Sequence, residues 1–270
     1  MTHSPRTHSP APRWRALLAL LAGLTLGFTS LPARAADEVR LLKAHSSVGS
    51  RYGQVWQDVS YTLLVKNMAY EKFVYVYQKE PDGTWVNLPG SYVGPASNGY
   101  EVWQVTRQYT SWGTTPEATR DLEFVPRIVV GGTSYWDNNW GANYHLGRND
   151  GPLLKNTNVL VAGSYWRDTG HLDVSVDVQN LAYSKSVTVV YTLDNWATQA
   201  EAPAQYVPSY TYGYSYIQSP NAKGVERWSA HIPVPTTGGP LRFYVRYQVN
   251  GQTYWDSNFG QDYVHATPAP

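Results

Sequence analysis

Leu172-Asp-Val-Ser-Val-Asp-Val178 alternates apolar and polar side chains without a break, the period-2 signature of a strand with one buried face. Val59, Tyr61, Leu63 and Val65 keep the same period earlier in the chain. Residues 74–77 and 187–191 are β-branched and aromatic runs that suit more buried strands. Residues 241–249 alternate again and run through Asn250-Gly251, a two-residue hairpin turn, into Thr253-Tyr-Trp255. Gly131-Gly132 takes the place of that turn in the first half. No helical periodicity appears beyond the N-terminal run. Short strands at this spacing predict an all-β chain of immunoglobulin-like β-sandwiches.

The pattern occurs twice. Asn67-Met-Ala-Tyr-Glu-Lys72 returns as Asn180-Leu-Ala-Tyr-Ser-Lys185, and Tyr135-Trp-Asp-Asn-Asn-Trp-Gly-Ala-Asn-Tyr144 as Tyr254-Trp-Asp-Ser-Asn-Phe-Gly-Gln-Asp-Tyr263. Trp103 matches Trp228 between them. A period of roughly 110–120 residues is too long for a solenoid repeat, so two tandem modules are expected, over residues 37–150 and 156–266. Residues 147–157, rich in Gly, Asn and Pro, read as a short linker. Before them, Arg13 and Arg15 precede an apolar run that ends in Ala33-Arg-Ala35. That order is the layout of a secretory signal peptide over residues 1–35. Secretion to the periplasm or the medium is the expectation, with no membrane span.

Lys and Arg total 21 against 20 Asp and Glu, a balance without the electrostatic footprint of a nucleic-acid partner. The chain has no cysteine, which excludes disulfides and thiolate-held metals. Its 22 Tyr and 11 Trp against five Phe point to amphipathic rings at a surface, because buried Tyr and Trp each require a polar partner. Trp85 follows Pro81-Asp-Gly83 and Trp196 follows Asp194-Asn195, so turns present both rings. Such rings match the C–H face of a pyranose, while Asn, Asp and Lys match its hydroxyls. Tyr206, Tyr210, Tyr212, Tyr214 and Tyr216, broken by Pro208 and Gly213, are expected to form a contact loop; a strand with one buried face is the other reading.

On Val178-Gln-Asn-Leu-Ala-Tyr-Ser-Lys-Ser-Val-Thr-Val189, Asp194-Asn-Trp196 and Tyr247-Gln-Val-Asn-Gly-Gln-Thr-Tyr-Trp-Asp256, the chain resembles two tandem starch-binding domains of carbohydrate-binding module family 21. That family includes the starch-binding domain of fungal glucoamylase and glycogen-targeting phosphatase subunits. The resemblance implies one glucan site in the second module at Trp196, Tyr244 and Trp255, and another at Asn180, Tyr183 and Tyr206, with Lys185 in the shared motif. In the first module the sites fall on Trp85, Val125 and Trp136, and on Asn67, Tyr70 and Tyr92, with Lys72. Val125 stands where the second module has Tyr244, so the first platform is expected to lack a ring. Asn138 and Asn143 are the polar positions of the closing motif, replaced by Ser257 and Asp262.

No nucleophile elbow, phosphate loop or metal-ligand spacing occurs. His171 and Asp173 are expected to be a surface pair, and Asp137 and Asp256, one per module, to serve turns rather than glycosidase chemistry. A non-catalytic α-glucan binder without cofactor or metal is the expectation. An accessory subunit docking an amylase, or an adhesion protein using the same rings, is the alternative. No Arg/Lys-Val-x-Phe docking sequence occurs to carry over the phosphatase role.

Overall fold

The computed structural model describes residues 37–112, 119–212, 214–234 and 239–268. The leader expected over residues 1–35 lies outside the described residues. The first half contains β1 (Val39–Arg51), β2 (Gln54–Lys66), β3 (Phe73–Lys79), β4 (Trp85–Pro89), β5 (Ser91–Ala96), β6 (Tyr100–Trp112), β7 (Leu122–Val130), β8 (Thr133–Trp136) and β9 (Tyr144–Leu146). β10 (Gly151–Leu154) follows. The second half contains β11 (Val159–Asp168), β12 (His171–Gln179), β13 (Lys185–Thr192), β14 (Ala200–Pro203), β15 (Gln205–Val207), β16 (Ser209–Tyr212) and β17 (Ser215–Gln218). It ends with β18 (Val225–Pro233), β19 (Leu241–Val249), β20 (Gln252–Asp256) and β21 (Tyr263–His265).

Sheet order in the first half is β10-β1-β2-β6-β5 against β4-β3-β7-β8, with β9 on β7. In the second half it is β11-β12-β18-β15 against β14-β13-β19-β20, with β21 on β19. Strand for strand the two orders coincide, apart from β10 and the separate hairpin β16-β17. Each pair of sheets encloses its own apolar cluster. Tyr61, Leu63, Phe124 and Ile128 are fully buried in one, and Leu172, Val176, Phe243 and Tyr247 in the other. Burying each such side chain stabilises by about 1.5–3 kcal/mol. The alternating stretch 172–178 lies in β12 with Leu172, Val174, Val176 and Val178 all inward. Asn250 and Gly251 take φ of 52° and 72°, the left-handed pair that a tight hairpin turn requires.

Two expectations are corrected here. The predicted linker is not a free connection, because β10 pairs with β1 from Lys43↔Leu154 to Ser46↔Gly151 and all four of its residues are buried. Its Gly-Pro start reads as a turn, yet proline is tolerated on a sheet edge, and Leu153 and Leu154 are apolar enough to cover one.

The Tyr-rich run is folded as a hairpin clasp rather than an open loop, with Tyr206, Tyr212, Tyr214 and Tyr216 still exposed. Ser209–Tyr212 and Ser215–Gln218 pair as the hairpin β16-β17, whose rings cross to the first half. Tyr212 lies 4.4 Å from the His45 ring and Tyr214 meets Trp56 edge-on at 5.5 Å. Arg51 caps Tyr214 at 5.3 Å, and Arg227 lies over Tyr210 at 3.8 Å. Beneath the hairpin, Asp177 is fully buried between Lys43 Nζ of β1 at 2.7 Å and Arg227 Nε of β18 at 2.8 Å. Burial pushes that carboxyl up, but Lys43 and then Arg227 outweigh it and hold it at about 2. His45 is driven down to about 3, by burial first and by Lys43 next.

Candidate functional site

In the second half Trp196, Tyr244 and Trp255 come together. Trp196 stacks on Tyr244 with centroids 5.1 Å apart and planes at 28°, and Tyr244 meets Trp255 edge-on at 5.5 Å. Tyr244 and Trp255 stand on β19 and β20, while a locked turn holds Trp196. Asp194 accepts from Thr198 N at 2.9 Å, Thr198 Oγ1 at 2.7 Å and Thr192 Oγ1 at 2.7 Å. The two Thr198 bonds, and after them the Thr192 hydroxyl, hold the Asp194 carboxyl at about 2. Asn195 and Trp196 themselves take positive φ, and Trp196 Nε1 donates to Asp262 Oδ2 at 2.8 Å. Asp262 is therefore a positioning residue for the ring. Trp255 keeps 54% of its surface exposed.

The first half builds the same platform by another route. Tyr77 of β3 stacks on Trp85 at 5.1 Å and 24°, and meets Trp136 edge-on at 5.5 Å. Tyr77 is the cross-strand partner of Val125, as Val190 is of Tyr244. The two halves thus exchange ring and valine across one strand pair, and both Tyr rings fall between two tryptophans. The expected gap at Val125 does not exist. Val125 is buried, and Tyr77, absent from the sequence-based site, occupies the vacant place.

The Asn-Tyr-Lys motifs form a second arrangement in each half. Lys72 Nζ donates to Asn67 Oδ1 at 3.0 Å and to Glu101 Oε2 at 2.9 Å, and Trp103 Nε1 donates to that same Glu101 oxygen at 2.9 Å. Lys185 repeats this with Asn180 and with Glu226 Oε1 at 2.8 Å, while Trp228 Nε1 donates to Glu226 Oε2 at 3.0 Å. Both lysine side chains are buried and orient the asparagines, and Lys185 lines the cleft of the second half. Glu101, Trp103, Glu226 and Trp228 were missed by sequence reasoning, except that the repeat already paired the two tryptophans. Tyr92 meets Trp103 at 5.7 Å and Tyr206 meets Trp228 at 6.0 Å. Tyr70 and Tyr183 stand wholly in solvent. A cleft of about 720 Å³ in the second half runs between Asn180, Tyr183, Tyr206 and Trp228.

The closing motif is structural. Asp137 Oδ2 accepts from Leu41 N at 2.8 Å and from Tyr144 Oη at 2.9 Å. Asp256 Oδ2 accepts from Val161 N at 2.6 Å and from Tyr263 Oη at 2.8 Å. Leu41 and Val161 each open a bulge in their strand, so the aspartates satisfy amides that the ladder leaves. Burial raises the Asp256 carboxyl. Asn138 Oδ1 and Ser257 Oγ accept from Gly141 N and Gly260 N, both at 3.1 Å, and Asn143 Nδ2 donates to Glu123 at 2.8 Å. The sequence had assigned Asn138 and Asn143 to sugar contacts; the one caps a turn and the other holds Glu123. His171 does not pair with Asp173 either. His171 takes Asp168, and the buried Asp173 takes Arg167 and His231.

Residues 153–265 match the carbohydrate/starch-binding module (family 21) model. Mouse protein phosphatase 1 regulatory subunit 3E is 36% identical over 103 residues, 37% of this chain and 34% of that protein. Glycogen-binding subunit 76A of Drosophila melanogaster is 39% identical over 89 residues, 33% of this chain and 12% of that protein. The match therefore spans about a third or less of these curated relatives. The solved starch binding domain of Rhizopus oryzae glucoamylase aligns over 43% of this chain and 98% of its own, at 25% identity and a TM-score of 0.33. The segment formed by residues 153–265 belongs to carbohydrate/starch-binding module family 21.

Proposed function

We propose that the protein is a secreted, non-catalytic binder of α-glucan chains, built from two tandem immunoglobulin-like modules over residues 37–150, extended by β10, and 156–266. The observation that carries this is the platform Trp196–Tyr244–Trp255, a row of rings on the surface of the family 21 segment. Its twin at Trp85–Tyr77–Trp136 supports reading the first half as a second copy. Stacked rings bury the C–H face of a sugar, and Asn67 and the cleft at Asn180 offer amides to its hydroxyls. The carboxylates Asp137 and Asp256 are committed to backbone amides and tyrosines, which removes the pair that glycoside hydrolysis would need. A phosphatase partner, which the relatives' names raise, does not suit a chain whose residues 1–35 read as an export leader. The accessory role beside an amylase gains nothing from those relatives.

Sedimentation with insoluble starch tests the proposal. Retention is expected, competed by maltoheptaose or β-cyclodextrin and reduced by Trp196→Ala. Retention that ignores soluble glucan, or reducing sugar released in proportion to purified protein, would overturn it.

A further inference from the structure

The family 21 segment and the first half meet along a seam that contains its own cleft. The turn Asn258–Gly260 packs against the end of β5, and a Cβ on Gly260 would lie 3.6 Å from Ser97 Cβ. Phe259 from the same turn packs on Leu154 and Leu160 below. Beside this contact opens a cavity of about 310 Å³ floored by Leu42 and Leu64, at the small end of the ~300–1,000 Å³ usual for ligand pockets. Trp255 forms one wall.

The cleft has the chemistry of a sugar subsite. Its apolar floor and exposed indole face the C–H surface of a ring. Around them stand hydroxyls with capacity to spare. Ser257 Oγ accepts from Gly260 N, leaving its O–H to donate, and Thr157 Oγ1 donates to Val159 O, leaving lone pairs to accept. Ser97 presents an exposed hydroxyl opposite.

Position matters as much as chemistry. Trp255 meets Tyr244 on one side and borders the seam on the other. Across the seam, Ser97 begins the turn whose Gly99 carbonyl accepts from Asn67 N at 2.8 Å. Asn67 is the amide of the first half's Asn-Tyr-Lys site, and Tyr92 stands on the β5 strand that leads into this turn. We infer that the seam is a composite α-1,4-glucan subsite, through which a chain seated on Trp196–Tyr244–Trp255 continues toward the Asn67 site of the first half. This rests on the glucan reading above and adds a site that neither half contains alone.

Titration calorimetry of the full chain with maltotriose and maltoheptaose tests it, using Ser97→Phe to fill the mouth of the cleft from an exposed position. Maltoheptaose affinity is expected to fall at least fivefold and maltotriose affinity less than twofold. Equal losses for both ligands, or no loss for either, overturn the seam subsite and leave platform binding standing. Absence of maltotriose and maltoheptaose binding by the unaltered protein overturns the glucan reading itself. The thermal midpoint reports whether Ser97→Phe folds; Ser97→Arg gives the same comparison if it does not.

Discussion

Replacing Tyr77 with valine removes the middle ring of the first platform and leaves Trp85 and Trp136 without the face and edge they contact at 5.1 and 5.5 Å. Aromatic contacts of this kind are worth about 0.5–1.5 kcal/mol beyond area burial. Losing the ring that both tryptophans touch should therefore cost the platform about 1–2 kcal/mol, or roughly five- to thirtyfold in affinity. The informative step is the repair. Because Tyr77 and Val125 face each other across β3 and β7 as Val190 and Tyr244 do across β13 and β19, adding Val125→Tyr to Tyr77→Val rebuilds the second half's arrangement. Val125→Tyr alone should fold poorly, since Val125 is buried and the added ring would crowd Tyr77. The assay is titration with β-cyclodextrin in a background of Trp196→Ala, Tyr70→Ala and Tyr183→Ala, which removes rings from the second platform and from both Asn-Tyr-Lys arrangements. The single variant should lose affinity and the exchange should recover it to within threefold. Full affinity in Tyr77→Val, or no recovery in a folded exchange variant, refutes the idea that the two halves hold one platform in two registers.

Lys185→Met leaves Glu226 buried without its cation and should destabilise the protein by about 3–5 kcal/mol in urea unfolding; an unchanged midpoint would mean that the lysine serves ligand and not fold. Asp262→Ala frees the Trp196 indole and should weaken β-cyclodextrin binding about three- to tenfold, while Asp262→Asn, which keeps an acceptor, retains most of it. Acid should loosen the clasp in two stages. His45 is neutral in the fold down to about 3 but takes a proton near 6.5 when unfolded. Its share of stability is complete above pH 6.5 and falls by about 1.4 kcal/mol per unit toward pH 3. Asp177, held at about 2, contributes fully above about pH 4 and loses that contribution as pH falls through 2. Thermal melting from pH 7 to 4 should show the first slope, and His45→Phe should flatten it.

Much of this molecule is legible in its residues. The alternation at 172–178, the Asn250-Gly251 turn and the recurring motifs mark the strands and the matching strand order of the two halves, because each is a local pattern. The platform of the second half is legible too, since Trp196 follows a turn and Tyr244 and Trp255 flank a hairpin. The first platform was not, for a definite reason. Aligning the halves compares Val125 with Tyr244, whereas the compensating ring lies on a neighbouring strand, and only sheet register brings Tyr77 to it. Lys72 and Lys185 were expected at the ligand as members of the shared motif, and their burial has no local sign because lysine is rarely buried. Their carboxylate partners lie 29 and 41 residues away in sequence. Tyr212 and Tyr214 carry no local sign that their partners are His45, Trp56 and Arg51, all more than 150 positions earlier in the chain.

That clasp has a bearing on how the two proposed sugar sites act together. Flexibly joined modules enhance binding through a search volume set by tether length, with gains of ~10²–10⁴ that fade gradually as the tether grows. Here β10 is part of a sheet, Asp177 is held from both halves and the tyrosine hairpin spans the junction. The separation between platforms is consequently a dimension of the fold. Under the proposed glucan reading the protein works as a calliper: glucan whose chains present the matching interval is held at both jaws, and glucan of identical chemistry but different spacing is held at one.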